Sequence, residues 1–298
     1  MRVGCAWGAR GVRVVRVGCA CALPHDVTGW YARAALSTLF PLGDFRLRFS
    51  GDTNVGRKRN HNEDAFSLPH GELLAVVADG MGGHASGEVA SRMAVDAVEE
   101  HFDATAEDDT LDWPFKLDRG AHASASRLAT AIRLANVRIH EDARKNQQRA
   151  GMGTTLVAAY FVADTLLIGH VGDSRVYRVR PTGIEQLTED HSMLNDYARA
   201  KGVRPSQLKN YPHKNVIVRA LGMKESVQVD LLSERLRVGD CFLLCSDGLS
   251  GMITDEKMHA IVCGTPDLDR AVGWLIDAAN EAGGVDNVTV VLVRVEAA

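Results

Sequence analysis

Apolar runs in this chain are short, and several break off at an acid set among glycine, serine or asparagine. Residues 73–78 are the clearest case, a Leu- and Val-rich run that ends in Asp79-Gly80-Met81-Gly82-Gly83-His84. Its shortness and its turn-forming borders predict a buried strand. Residues 154–162, 165–171, 175–179, 227–231 and 240–245 read the same way, and 287–295 is a strongly apolar last strand. Residues 45–49 alternate and predict a further strand; 65–68 and 73–78 predict a hairpin across Pro69-His70-Gly71.

Helical spacing appears in two pairs of segments. Residues 86–102 carry Val89, Ala90, Met93, Ala94, Ala97 and Val98 on one face, and 123–145 carry Leu128, Ile132, Ala135 and Ile139. Residues 254–263 and 268–282 form a second helical pair, and 192–209 are charged and helix-permissive, broken at Gly202 and Pro205. The acidic, irregular stretch 103–120 predicts a surface loop. Two helix pairs separated by many strands predict α+β layers rather than a regular βαβ winding. The pattern leaves open whether the strands make one sheet or two.

Composition narrows the function classes. The 298 residues are 46% hydrophobic and 24% charged, as expected of a globular chain that buries a full core. A net charge of -4 lacks the basic excess of a nucleic-acid binder. No stretch approaches the roughly 18 apolar residues of a membrane span. Six cysteines without paired spacing predict neither a disulfide scaffold nor a zinc site. Cys241 and Cys245 share one strand face and read as buried free thiols, so a reducing, cytoplasmic setting is expected.

Residues 1–44 differ from the rest. They hold five arginines, three of the six cysteines and only two acids, Asp26 and Asp44. No apolar core with a small-residue cleavage site follows, which argues against a targeting signal. The expectation is a disordered extension or an early start, with a short amphipathic helix over 28–40 as a candidate element. The catalytic domain is expected to span 45–298.

Acids recur at the predicted strand ends. Besides Asp79, they stand in Asn62-Glu63-Asp64, Gly172-Asp173-Ser174-Arg175, Ser246-Asp247-Gly248-Leu249 and Gly284-Val285-Asp286-Asn287. If these ends share one edge of a layered core, the carboxylates repel unless a cation neutralises them. An all-oxygen set suits hard ions such as Mg2+ or Mn2+. A metal pair can supply hydroxide near neutral pH and clamp a displacement at phosphorus. Arg59, four residues before Glu63, adds a planar fork that matches phosphate.

These segments, with Gly56-Arg57-Lys58-Arg59-Asn60-His61 and Gly153-Thr154-Thr155, occur in an order that resembles metal-dependent Ser/Thr protein phosphatases, the PPM or type 2C family in its bacterial form. The resemblance covers residue 45 to the end. It implies a four-layer α-β-β-α sandwich, two central antiparallel sheets flanked by helices, with metals at one end. By position it implies Asp79 as the bridge between two core ions, with the Gly80 carbonyl as a further ligand. Asp247 and Asp286 match the first metal, and Glu63 matches the second through water. Asp64 matches an orienter of metal-bound water, and Asp173 with Asp247 a third ion. Arg59 matches the phosphate-binding arginine, while Thr154 and Thr155 look structural.

One departure concerns proton delivery. Eukaryotic members carry a general-acid histidine directly after the Asp-Gly, where this chain has Met81. His84 is a candidate by proximity, or caps a turn; His61, His170 and His191 read as structural or surface. The general acid stays unassigned. Residues 189–221 match the family's flap, bordered by Asp190-His191-Ser192 and Arg219-Ala220-Leu221-Gly222. Its Lys201, Arg204, Lys209 and Lys214 either guide phosphopeptides or form a solvated face.

The resemblance thus implies a monomeric cytoplasmic enzyme that hydrolyses phosphoserine and phosphothreonine in proteins. The implied step is direct attack by a metal-bridging hydroxide, without a phosphoenzyme. Partners would be phosphorylated proteins and a cognate Ser/Thr kinase, with no nucleic acid or membrane. Two rivals are a catalytically silent PPM-fold binding module, which the retained acids disfavour, and a nuclease or phosphodiesterase, which would call for a basic face and His ligands.

Overall fold

Strand residues that are apolar on both faces need cover on both, and the chain supplies it with two stacked sheets and two helical layers. The computed structural model describes residues 37–82, 86–106, 123–204, 207–208 and 216–298. Its strands are β1 Thr38–Leu42, β2 Phe45–Asn54, β3 Asp64–Ser67, β4 Leu74–Met81, β5 Gly153–Thr154, β6 Leu156–Val162, β7 Thr165–Val171, β8 Arg175–Arg180, β9 Gly183–Gln186, β10 Asp230–Arg235, β11 Cys241–Cys245 and β12 Val288–Ala297. Its α-helices are α1 Ser86–Ala104, α2 Ala123–Lys145, α3 Met193–Lys201, α4 Asp247–Ser250, α5 Asp255–Gly264 and α6 Leu268–Glu281. One sheet has the order β1-β2-β12-β11-β8-β9, the other β10-β7-β6-β4-β3, with β5 paired to β4. All pairings are antiparallel.

The pleat sorts each apolar run into two cores. On β12, Val291, Val293 and Val295 point between the sheets, while Val288, Val290 and Leu292 face α4, α5 and α6. On β4, Ala75 and Val77 point between the sheets, and Leu74, Val76 and Ala78 pack toward α1 and α2. Each such Val or Leu, once fully buried, contributes about 1.5–3 kcal/mol. The four layers are therefore α-β-β-α, as expected, and Cys241 and Cys245 are buried free thiols.

Two differences from the sequence reading have clear causes. The strand expected over 227–231 lies at Asp230–Arg235, paired to β7 from Asp230↔His170 to Arg235↔Thr165. Val227 and Val229 pack on the helix-side core without strand pairing, and the true strand is a polar edge that carries no apolar run. The sheet also begins upstream of residue 45. Thr38–Leu42 forms a hairpin with β2 through Gly43, which has φ +56°, and places Phe40 and Leu42 on the inter-sheet core. That turn overrides the helical reading where 28–40 reaches the described residues, and α1 runs on to Ala104, two residues into the stretch read as a loop; the rest of the N-terminal reading, residues 107–120 of that loop, His84, Pro205, Lys209 and Lys214 lie outside them. The break expected at Gly202 is present: α3 stops at Lys201, where Gly202 adopts a left-handed cap.

Candidate metal centre

Antiparallel registry decides which strand ends share an edge. Cys245, the last residue of β11, pairs with Val290 near the start of β12 and with Arg175 at the start of β8. Asp247 and Asp286 therefore stand next to the β7–β8 turn that carries Asp173. In the second sheet Asp64, which opens β3, lies opposite Asp79 near the end of β4. Hydrogen bonds join the two sheets at this edge: Ser246 Oγ and Thr289 Oγ1 each donate to Asp64 Oδ2 at 2.7 Å.

Asp79, Gly80 and Glu63 are fixed by backbone. The Asp79 N–H donates to Thr155 Oγ1 at 3.0 Å, and the Asp79 carbonyl accepts from Thr154 Oγ1 at 2.8 Å. Thr155 Oγ1 also shares a 2.6 Å bond with Ser174 Oγ. The Gly80 N–H donates to the Glu63 carbonyl, and a Cβ on Gly80 would meet the Gly87 carbonyl oxygen at 2.1 Å. The Glu63 carboxylate lies against Gly87 at the start of α1, where a Cβ would sit 2.6 Å from Oε1. Asn287 ties the remaining loop: its Oδ1 accepts from the Glu63 N–H, and its Nδ2 donates to the Val55 and His61 carbonyls.

The electrostatics follow from crowding acids in a dry place. Burial is the largest effect on Asp64 and lifts its carboxyl to about 7 against its two hydroxyl donors, with Asp247 and Asp286 adding repulsion. Asp79 is pushed well above the usual carboxylate range by burial, then by Asp64, Asp247, Asp173 and Asp286. Asp173 rises to about 7 through burial and through Asp247 and Asp190. Asp247 also rises, mainly by burial and the Asp286 charge, while a hydrogen bond with Asp79 holds it down. Among the described residues, two cations stand close by: Arg175, which is paired with Asp190, and Arg59, whose Nη2 donates to Asp286 Oδ2 at 2.7 Å. That contact raises the guanidinium's affinity for its proton.

The residues fit hard divalent cations. Among the described residues, no three Asp, Glu, His or Cys side chains close on a single point as a ready-made cage. Yet Asp64 Oδ1 and Asp173 Oδ1 are buried without a hydrogen-bond partner, and Asp79 sits among the charges of Asp64, Asp247 and Asp173, a crowding that a cation would relieve. The donors are all oxygen, as Mg2+ and Mn2+ prefer. A cleft of about 440 Å3 opens over them, lined by Asp173, Arg175, Asp190, Asp247, Gly248 and Asp286. A larger groove along α1 and α2, about 790 Å3, is lined by charges of both signs, among them the pairs Arg138–Glu100 and Lys145–Glu141. The buried, crowded carboxylates of Asp173 and Asp247 make the smaller cleft the chemical one.

A family model described as Protein phosphatase 2C matches residues 53–265, a span that contains Arg59, Glu63, Asp79, Asp173 and Asp247. The chain belongs to the protein phosphatase 2C family. The serine/threonine phosphatase stp of Listeria monocytogenes is 37% identical over 249 residues, which cover 81% of this chain and 93% of that protein. The Mycobacterium tuberculosis serine/threonine phosphatase PstP/Ppp superposes with a TM-score of 0.73 at 33% identity, over 84% of this chain and 99% of that one. The catalytic domain of PstP, solved in complex with two manganese ions, matches with a TM-score of 0.69 at 33% identity, over 84% and 98% of the two chains. The family is metal-dependent, and its fold is the sandwich described above.

In this protein phosphatase 2C chain the structure brings Asp64, Asp79, Asp173, Asp247, Asp286 and Arg59 to one edge, with Glu63 and Gly80 on the adjoining backbone. Met81 ends β4, and the exposed His61 contributes only its carbonyl. Lys201 and Arg204 are exposed at and beyond the end of α3. The sequence motifs assign no role to Ser246, Thr289, Asn287 and Ser174, which hold the acids in place. Ser and Asn beside an acid look like ordinary turn residues, so only their long-range partners reveal them. No helix among the described residues is long and apolar enough to cross a membrane.

Proposed function

We propose that this protein phosphatase 2C member is a phosphoric monoester hydrolase acting on phosphoserine and phosphothreonine in proteins, reversing a cognate Ser/Thr kinase. The observation that carries this reading is the convergence of five strand-end aspartates and Arg59 on one edge of the sandwich. Asp79, the Gly80 carbonyl, Asp247 and Asp286, with Glu63, would hold two Mn2+ or Mg2+ ions, and Asp173 with Asp247 a third. When bound, the ions would neutralise these acids and supply hydroxide for direct in-line attack at phosphorus.

The protein's own groups do the rest. Arg59 offers its fork to the phosphoryl oxygens and exchanges its contact with Asp286 for one with substrate. Asp64 is anchored through Oδ2, which leaves Oδ1 free to accept a hydrogen bond from, and so orient, the attacking water. Ser246 and Thr289 hold that carboxylate at a fixed angle. The likeness of the chain to serine/threonine phosphatases supports the substrate class, and the absence of a basic excess supports protein rather than nucleic acid. We place the enzyme in the cytoplasm as a monomer. The test is hydrolysis of a phosphothreonine peptide in Mn2+, with chelator, and by Asp247→Ala. Loss of turnover in both latter arms is expected; turnover that survives them would overturn the metal-dependent reading.

A further inference from the structure

Gly172 is held from both sides by one residue. Its φ is +113°, and a Cβ there would lie 2.5 Å from Thr155 Cβ, so this turn is closed to other residues. The backbone N–H of His191 donates to the Gly172 carbonyl at 2.8 Å. In return the Gly172 N–H donates to His191 Nδ1 at 2.9 Å. The next residue is Asp173, whose Oδ1 is buried without a partner.

The second nitrogen of His191 reaches the other way. Because Nδ1 accepts, the ring proton sits on Nε2 and is donated to Asp230 Oδ2 at 3.1 Å. Arg219 Nη1 donates to Asp230 Oδ1 at 2.6 Å, and its 3.0 Å approach to Nε2 is two donors sharing one carboxylate. The ring also stacks on the fully buried His170, with centroids 4.5 Å apart. The backbone completes the joint: Val218 N–H donates to the His191 carbonyl at 2.9 Å, and Met193 N–H to the Val216 carbonyl at 2.8 Å. Both described ends of the 189–221 segment therefore meet at His191.

We infer that His191 is a positioning residue for the Asp173 carboxylate, gripping Gly172 from the joint formed by Asp230, Arg219 and the two ends of the 189–221 segment. This rests on the reading of Asp173 as a ligand of a third ion. The imidazole acts as the outer support of a metal-binding acid, a class of contact whose loss costs about 10- to 100-fold in metal affinity. It serves through Nδ1 toward Gly172 and through Nε2–H toward Asp230, so the two halves are separable. An asparagine at 191 places an acceptor near the Nδ1 position, and a glutamine places its amide near Nε2.

Equilibrium dialysis of the full-length protein against Mn2+ tests this without relying on turnover. Asp173→Ala identifies the ion that depends on Asp173. His191→Gln should weaken that ion by ~10-fold or more and leave the other ions unchanged, while His191→Asn stays within ~3-fold of wild type. In the Asp173→Ala background, His191→Gln should have no further effect on Mn2+ binding. Equal losses for the Asn and Gln variants, wild-type Mn2+ binding by His191→Gln, or additive losses with Asp173→Ala would each overturn the assignment. Phosphothreonine-peptide turnover, read in parallel, separates the two readings. A wild type that binds Mn2+ but hydrolyses nothing sinks the phosphatase function, and an active wild type whose His191→Gln variant binds Mn2+ normally sinks only the role of His191.

Discussion

Asp64 and Asp79 face each other in register across the β3–β4 pair, two carboxylates placed where antiparallel strands bring side chains closest. Like charges opposite one another destabilise a sheet, and these two are buried as well. The protein without metal is thus a fold working against its own acids. Hydroxyl donors fix one oxygen of Asp64, and the remaining charge is left for a cation to neutralise.

The first prediction concerns that tension. Asp64 and Asp173 have carboxyls raised to about 7 in the folded protein, from an ordinary value of 3.8. A raised carboxyl favours the fold most at low pH, and the benefit is lost as pH climbs through about 7. His170, held to about 3 by burial, acts in the opposite direction below its ordinary 6.5, so the clean window is pH 6.5 to 8. Across it each acid contributes on the order of 1 kcal/mol, and about 1 kcal/mol moves Tm by roughly 2–4 °C at this size. Calorimetry in chelator should therefore show a lower Tm at pH 8 than at pH 6.5. Saturating Mn2+ should remove or reverse the difference, because binding to the ionised acids stabilises the native state.

Arg59 supplies the second. Its Nη2 contact with Asp286 shows that the guanidinium reaches the acid edge from the β2–β3 loop. Arg59→Ala should lower kcat/KM on a phosphothreonine peptide about 10- to 100-fold, the worth of a hydrogen bond between charged groups. Arg59→Lys should recover only part, since an ammonium offers no planar fork. A lysine variant with full activity would remove Arg59 from phosphate recognition.

The legible parts of this protein and the hidden ones differ in the range of the contacts that define them. β4, β6, β11 and β12 were readable because both of their faces are buried, which makes a continuous apolar run. Asp79, Asp173 and Asp247 were readable because each breaks such a run beside a glycine or serine. Edge strands β1, β9 and β10 were not, since a solvated edge is short or polar and mimics a loop. The Ser246–Asp64 bond spans 182 residues, and nothing local marks the two as partners. His191 read as structural or surface because its significance lies in Gly172, nineteen residues away.

A pair of glycines gives the third prediction. A Cβ on Gly248 would stand 1.9 Å from the Asn287 carbonyl oxygen, pushing apart α4 and the loop that carries Asp286. Gly273, in α6, has nothing within 4 Å. Gly248→Ala should lower Tm and abolish turnover, with a cost of about 3 kcal/mol or more. Gly273→Ala should raise Tm slightly, by the ~0.5–1 kcal/mol that alanine gains in a helix, without affecting turnover. Equal thermal shifts for the two variants would show that the close approach at Gly248 relaxes at little cost.

The last prediction places the start of the catalytic domain. β1 adds Phe40 and Leu42 to the inter-sheet core, and Phe40 meets Phe49 edge-to-face at 5.8 Å between centroids. It also covers β2, which would otherwise be the open edge of its sheet. A chain starting at residue 37 should match the full chain in Tm and in turnover. One starting at residue 45 should lose stability by roughly 2–4 kcal/mol, the contribution of two large, partly buried apolar side chains and a strand pairing. It should keep its Mn2+-dependent activity at low temperature, because β1 lies far in sequence from every acid of the site and pairs only with β2. If both truncations melt alike, β1 adds nothing to the fold, and the boundary belongs at residue 45.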